Sequence, residues 1–345
     1  MSEFSDDHYT HGLEVYLVGG AVRDRLLKRS VVDRDWVVVG SCAEDMLARG
    51  FTSVGSDFPV FLHPESHEEY ALARTERKTR SGHQGFEFQA DQAVTLEQDL
   101  MRRDFTINAI AMSADGDLID PYLGRSDIEK GLLHPVSDAF SEDPLRILRA
   151  ARFMAQMPQL QVSETFTQLL PRMQKELASL SVERVWQEAF KSFGGQPERF
   201  FQALTQWNLW ADLGLEAPNI PNGPFSGSAE DRLVQWLWRS WMDDQRWMSH
   251  WKAPKRWEQL HRDIVAWHRD EAFDAVRAAG ALKKTPRSQL LIDAIRSYSN
   301  IDLDAPLDAA RSIRADQMPK ELSGPALGQA LIAAQRQAFN AVFSR

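Results

Sequence analysis

Asp33 and Asp35, one residue apart, are the first pair in the chain with an evident chemical use. Neighbouring carboxylates repel, so the arrangement is costly unless a cation sits with them. Magnesium takes carboxylate oxygens together with substrate phosphates. Two such ions can clamp the attacking and leaving oxygens of a phosphoryl transfer. An exposed acidic pair at a strand entrance is the plainer alternative. Upstream stands Gly19-Gly20-Ala21-Val22-Arg23. Glycine lets backbone approach a ligand closely, and a helix N-terminus offers free N–H groups to phosphate; a simple tight turn has the same composition. Downstream come Arg102-Arg103-Asp104, leading into Phe105-Thr106-Ile107-Asn108-Ala109, and Glu142-Asp143-Pro144-Leu145-Arg146, followed by Arg149 and Arg152. Arginine neutralises phosphate with fork-shaped donors, and Asp104 can hold an arginine in place. Pro144 suits a first helical position and Asp143 the cap before it. Arg146, Arg149 and Arg152, spaced by three, form one slowly drifting stripe, commonly a solvated face. Together these residues make a nucleotidyl-transfer kit: glycines and arginines to hold a triphosphate, aspartates to hold metal. A hydroxyl would attack the α-phosphate and pyrophosphate would leave. Such chemistry is mostly positioning and charge neutralisation and needs no covalent protein intermediate.

The elements that must position these residues read as an α+β head followed by an all-helical body and tail. Residues 14–20 form an apolar run ending in glycines, a strand and a turn, and 21–28 have helical spacing. Residues 33–39 read as a second strand, so that Asp33 and Asp35 share a face. Ala43–Arg49 is a short helix closed by Gly50. Phe58–Leu62 and Glu69–Ala73 run like strands. Thr75–Gln92, polar and containing Gly82 and Gly85, reads as a mobile loop. Leu96–Met112 is largely helical, with late strands at Asp117–Ile119 and Leu132–Val136. From Ala139 onward the signals are almost wholly helical.

Composition bounds the partners. The 345 residues carry 40 Lys+Arg against 49 Asp+Glu, a net charge of −9. No apolar run reaches the roughly 18 residues of a membrane span. The N-terminal residues lack the basic and apolar regions of a secretion signal, and a cytoplasmic enzyme is the expectation. The single Cys42 excludes an internal disulfide framework and a cysteine-based zinc site. Net acidity argues against a nucleic-acid partner, but the charge is uneven. Residues 1–150 hold 16 basic and 27 acidic residues, whereas 246–296 hold 11 and 6. That stretch is a candidate footprint for a phosphate backbone, with a solvated helical surface as the alternative. Ten of the eleven tryptophans lie between Trp186 and Trp267; most read as packing between helices rather than stacking platforms.

The motifs YLVGGAVRD, DRDWVVVG, DFPVFLHP, HEEYALARTERK, RRDFTINA and EDPLRILRAARF, in this order from Val15 to Phe153, resemble the class II tRNA nucleotidyltransferase and bacterial poly(A) polymerase family. The resemblance implies a polymerase-beta-like nucleotidyltransferase head with a small mixed sheet over residues 1–138. It also implies a helical nucleotide-recognition neck over 139–215 and a tRNA-binding body and tail over 216–345. It makes Asp33 and Asp35 the catalytic carboxylates that hold Mg2+. Gly20, Arg23, Arg103, Asp143, Arg146, Arg149 and Arg152 become nucleotide-binding residues, with Glu142, Asp143 and Arg146 reading the base. An acid accepting from an exocyclic amine and an arginine donating to a ring acceptor would admit cytosine and adenine and reject guanine and uracil. The implied activity is template-independent addition of CCA to the 3′ end of tRNA from CTP and ATP, with neither DNA nor membrane as partner. Residues 55–63 look like the CCA-adding type rather than the poly(A) polymerase type, and Thr75–Phe88 looks like the complete loop of full CCA addition. An A-adding enzyme or a poly(A) polymerase is the alternative. No His-Asp dipeptide follows residue 153, so a phosphohydrolase activity is not expected. His261-Arg262-Asp263 and His268-Arg269-Asp270 place the two side chains apart on a helix.

Overall fold

Alternating apolar residues in the first 120 positions build a sheet, and 3.6-residue periodicity beyond them builds helices. The computed structural model describes residues 7–54, 60–78, 86–89 and 92–343. Strands β1 (Glu14–Val18), β2 (Asp35–Val39), β3 (Thr52–Val54), β4 (Val60–Leu62) and β5 (Glu69–Leu72) alternate with helices α1 (Gly20–Leu26) and α2 (Ala43–Ala48). A hairpin of β6 (Thr75–Lys78) and β7 (Phe86–Gln89) follows, then α3 (Leu96–Met101), β8 (Ala111–Met112) and β9 (Leu118–Ile119). A mixed seven-stranded sheet has the order β3-β4-β5-β2-β1-β8-β9. β2 pairs antiparallel with β1 and parallel with β5. One face of the sheet buries Leu17, Trp36, Val38, Tyr70 and Leu72 with Ala21 and Val22 of α1. The other buries Val18, Val37, Ala109 and Ala111. This is the period-2 division of a strand between two layers.

Next come α4 (Gly124–Lys130), β10 (Leu132–Leu133), α5 (Leu145–Gln156), β11 (Gln161–Val162), α6 (Glu164–Gln174), α7 (Val182–Ser192) and α8 (Pro197–Gln206). The remaining helices are α9 (Ala229–Arg239), α10 (Arg246–His250), α11 (Lys255–Arg269), α12 (Ala272–Ala278), α13 (Pro286–Ser299), α14 (Asp304–Ser312) and α15 (Gly324–Val342). The chain forms two compact units, one of residues 1–188 and 203–214 and one of 189–202 and 215–345. In the first, Phe166 of α6 packs its ring 5.1 Å from that of Trp207, and Gln174 donates to the Asp212 carboxylate at 2.6 Å. In the second, Phe193, Phe201, Trp236, Trp247 and Trp251 form a fully buried aromatic cluster. Most tryptophans therefore serve packing; Trp207, Trp238 and Trp241 are half-buried.

Several local readings change. The polar stretch from Thr75 is not a loop throughout: β6 and β7 pair antiparallel with Thr75 opposite Gln89. Backbone pairing is indifferent to side-chain polarity, and the two glycines mask the alternating Phe86-Glu87-Phe88. The intervening residues 79–85 and the segment 55–59 of the type-distinguishing motif lie outside the described residues. Leu96–Met112 is helical only to Met101. There the Asp104 carboxylate takes the Phe105 N–H, the Thr106 N–H turns to the His134 carbonyl, and β8 joins β1. A two-residue strand, β11, pairs parallel with β10 inside the otherwise helical part.

Candidate active site

Strand register brings the site residues to one end of the sheet. Val18, the last residue of β1, lies opposite Asp35, the first of β2. Gly19 and Gly20 therefore emerge beside the acidic pair. Val18 also lies opposite Ala111, which directs the segment before β8, Arg103 to Asn108, past the same edge. β2 begins at Asp35, so Asp33 sits before the strand and the same-face argument does not place it. The two acids are nonetheless neighbours electrostatically. Burial pushes the Asp35 carboxyl above its ordinary range and the Asp33 charge adds to the rise, while Arg103 opposes it. Asp35 is solvent-accessible by area yet hemmed in by protein, as at the floor of an open hollow.

Glycine at the turn answers two demands. Gly19 has φ 69°, and a Cβ there would stand 2.8 Å from Arg103 Nη1. The bare backbone is what lets the arginine lie against the turn. Arg103 is held in turn by Asp99, a fully buried carboxylate of α3 that Arg102 Nε meets at 3.0 Å and Arg103 Nη2 at 3.1 Å. Burial works against the Asp99 charge, but these two guanidinium groups outweigh it and lower its pKa. Arg103 Nε is buried with no acceptor among the described residues.

A second acid organises the other arginines. Asp104 accepts from Asn108 Nδ2 at 2.9 Å and from Arg149 Nε at 2.7 Å. Burial opposes its charge too, and Arg149, Asn108, Arg146 and the Phe105 N–H more than compensate, holding it well below the usual carboxylate range. Asn108 Oδ1 in turn accepts from Arg23 Nη1 at 2.6 Å, so the amide ties α1 to Asp104 and, through it, to Arg149 of α5. Arg152, 8% exposed, meets Glu188 Oε2 at 2.5 Å. Burial lowers its pKa against the pull of Glu188, although a guanidinium stays charged in either case. For Arg149 the balance reverses: Asp104 and Glu188 overcome burial and raise its pKa. Phe153 offers its ring to three guanidiniums, Arg152 at 4.1 Å, Arg23 at 5.3 Å and Arg149 at 5.6 Å, which spreads attraction over like charges.

At the start of α5 the cap is shifted by one residue. Pro144 is the residue before the helix, and Asp143 Oδ1 accepts the Leu145 N–H at 3.0 Å. Asp143 Oδ2 accepts from Arg184 of α7 at 2.9 Å. Arg146 donates to the Ala139 and Arg102 carbonyls.

These groups enclose a cleft of about 470 Å3. Of the residues singled out from sequence, Gly20, Arg23, Asp35, Arg103, Asp143, Arg146, Arg149 and Arg152 line it together. Asp33 and Glu142 do not line it. Arg102, Asp104, Asn108, Phe153 and Arg184 line it without having been named as ligand-binding residues. Asn108 stood inside the quoted RRDFTINA motif without a role; Arg184, Asp99 and Glu188 lay outside every quoted motif and carried no signal. The arginine stripe of α5 is thus cleft wall rather than solvated face. Asp35, with the Asp33 charge close by, offers carboxylate oxygen to a divalent ion that completes its shell with phosphate and water, and among the described residues no three ligating groups cluster.

In the second unit, Asp263 is buried in an ion pair with Arg287, and His268 stacks on Trp241 at 4.6 Å. Of the basic residues of 246–296, Arg246, Arg256, Arg277, Arg287 and Arg296 are paired with acids. Lys255, Arg262 and Arg269 are exposed along α11.

Residues 15–134 match the Poly A polymerase head domain family. The chain is 60% identical over 197 residues to the Multifunctional CCA protein of Neisseria meningitidis, covering 56% of this chain and 47% of that protein. It is 56% identical over 197 residues to the Multifunctional CCA protein of Vibrio campbellii, covering 56% and 48%. The chain thus spans about half the length of the curated relatives it matches. Among solved structures, the Bacillus stearothermophilus CCA-adding enzyme in complex with CTP superposes with a TM-score of 0.66 at 25% identity, covering 96% of this chain and 90% of that one. No helix among the described residues is long and apolar enough to cross a membrane.

Proposed function

We propose, for a chain whose residues 15–134 match the Poly A polymerase head domain family, that it adds CCA to the 3′ end of tRNA without a template, using CTP and ATP and releasing pyrophosphate. The observation that carries this reading is the single cleft in which Gly20, Arg23, Arg103, Arg149 and Arg152 stand with Asp35. Such a wall neutralises a triphosphate opposite a metal-holding acid. Its likeness to proteins whose names state CCA addition supports the same reading.

Asp33 and Asp35 would hold a divalent ion, Mg2+ by its preference for carboxylate and phosphate oxygen. When bound, that ion supplies charge neutralisation at the α-phosphate and activates the attacking hydroxyl. The chain's own residues do the rest. Gly19 and Gly20 bring backbone to the triphosphate without side-chain obstruction. Arg23 and Arg103, fixed by Asn108 and Asp99, present donors to its oxygens. Arg149 and Arg152 extend that charge along α5. Asp143 and Arg146 read the base edge, Asp143 accepting from the exocyclic amine and Arg146 donating to the ring. Glu142 belongs to the same motif but does not line the cleft, and its part in base reading rests on the motif alone. In this reading the head is 1–138, the recognition neck 139–215 and the tRNA-binding part 216–345, acting in the cytoplasm. Lys255, Arg262 and Arg269 recur every seven residues on α11, a shared helical face suited to phosphates.

The test is incubation of tRNA lacking its 3′ end with each labelled nucleotide and Mg2+. Addition of two C and one A is expected. Incorporation of A alone, or of long A tails, would replace this reading with an A-adding enzyme or a poly(A) polymerase.

A further inference from the structure

The cleft has a wall that neither the motifs nor the metal site explain. Helix α7 sends Arg184 and Glu188, four residues apart and so on one helical face, toward α5. They carry opposite charges and meet opposite charges. Arg184 Nη2 donates to Asp143 Oδ2 at 2.9 Å. Glu188, 4% exposed, takes Arg152 Nε at 2.5 Å and lies 3.9 Å from Arg149 Nη1. The base-reading acid is thereby gripped by a cation and the phosphate-holding arginines by an acid.

Such grips have a use beyond packing. A carboxylate has about four lone-pair directions and turns easily about its last bond. A carboxylate that turns freely can meet an amine or retreat from a carbonyl, and so tells the two apart poorly. With the Leu145 N–H on Oδ1 and Arg184 on Oδ2, the plane of the Asp143 carboxylate is fixed. The arginines are restrained likewise. Arg149 gives its Nε and Nη2 edge to Asp104, and Arg152 gives Nε to Glu188 and Nη1 to Gln156. Each keeps one edge on the protein and part of its fork for a ligand. Burying a carboxylate as deeply as Glu188 is costly unless its partners are well placed, and here they are two of the cleft's cations.

We propose that Arg184 and Glu188 are positioning residues for nucleotide selection. Arg184 orients Asp143 and so sets discrimination between bases; Glu188 orients Arg149 and Arg152 and so sets affinity for the triphosphate. This rests on the nucleotidyltransfer reading above.

The experiment measures kcat and KM for CTP, ATP, UTP and GTP on tRNA lacking its 3′ end. The proteins are the full chain and its Arg184→Lys, Arg184→Met and Glu188→Gln variants, each checked by thermal melting. Arg184→Met should narrow the CTP-to-UTP ratio of kcat/KM by about tenfold, the order that one net intramolecular hydrogen bond is worth. Arg184→Lys should recover part of that ratio. Glu188→Gln should raise KM for CTP and ATP together by about tenfold with little change in kcat, the pattern of lost uniform binding. A purely structural role would lower kcat/KM for all four nucleotides by one factor in Arg184→Met, and would lower kcat rather than raise KM in Glu188→Gln. That result, or unchanged ratios and KM in an active protein, would overturn this inference alone. A wild-type chain that transfers none of the four would overturn the proposed function and this inference with it. Should Arg184→Met fail to fold, the lysine and glutamine variants carry the test.

Discussion

At the scale of single residues, the site depends on what a glycine and an aspartate permit. Asp35→Ala should lower nucleotide incorporation by more than about a hundredfold, as loss of a principal charge-stabilising group does. tRNA binding, measured by gel shift, should stay within about twofold because one surface carboxylate adds little to RNA affinity; turnover at the wild-type rate would end the metal-holding role. Gly19→Ala places a side chain at φ 69° and 2.8 Å from Arg103 Nη1. With ψ at −129° this is backbone that almost only glycine adopts, so the side chain costs about 1–3 kcal/mol, and Arg103 must move. A raised nucleotide KM with a lowered melting temperature is expected. Residues of this kind were legible in the sequence because their chemistry is unusual for their position: glycines at a strand end, acids leading an apolar strand. Asp99 and Glu188 were not, since a buried acid that holds an arginine looks like any helical acid until the partner from a distant segment is known.

At the scale of elements, α5 is fixed to the head through the Asp104–Arg149 pair. Asp104→Ala leaves Arg149 without its closest acid and should cost about 3 kcal/mol, at the low end for breaking a buried pair; chemical denaturation measures it. The pH dependence has a definite sign. Asp99 and Asp104 titrate below the 3.8 of a free aspartate when folded. The unfolded chain therefore takes up their protons first. The stability they contribute is present above pH 3.8 and is lost as acid carries the solution down through that range. Asp104→Ala should show a shallower loss there. The sheet, α1, α2 and the helical second half were readable from periodicity. The hairpin at β6 and β7 and the break after Met101 were not, because both are decided by backbone partners elsewhere in the chain. The same holds at Asp33, where a strand reading overshot by two residues at the point where the register with β1 ends.

At the scale of the whole chain, the charge of −9 ceases to argue against RNA once it is divided. Asp99, Asp104 and Asp143 of the first half meet arginines around the cleft, while the second half has exposed cations on α11. The two units also answer acid differently. His261 in the second unit is pushed down by burial, with Arg262 adding to the effect and Ser240, Asp243 and Asp244 opposing it. Protons thus favour its unfolded form: the stability it contributes is complete above pH 6.5 and declines as pH falls below that value. Calorimetry between pH 7.5 and 5 should show a falling transition for the second unit that His261→Gln makes flatter. A transition equally steep in the variant would assign the effect elsewhere. The division of the chain also governs how it can be cut and grafted. It leaves the first unit after Glu188 and returns to it for Ala203–Gly214. A chimera joined at residue 188 would strip that unit of Trp207, which backs Phe166, and of Asp212, which anchors Gln174. A splice after Gly214 keeps the first unit whole but parts Phe193 and Phe201 from Trp236 and Trp247, so an exchange of tails between relatives has to match residues 189–202 to the incoming tail.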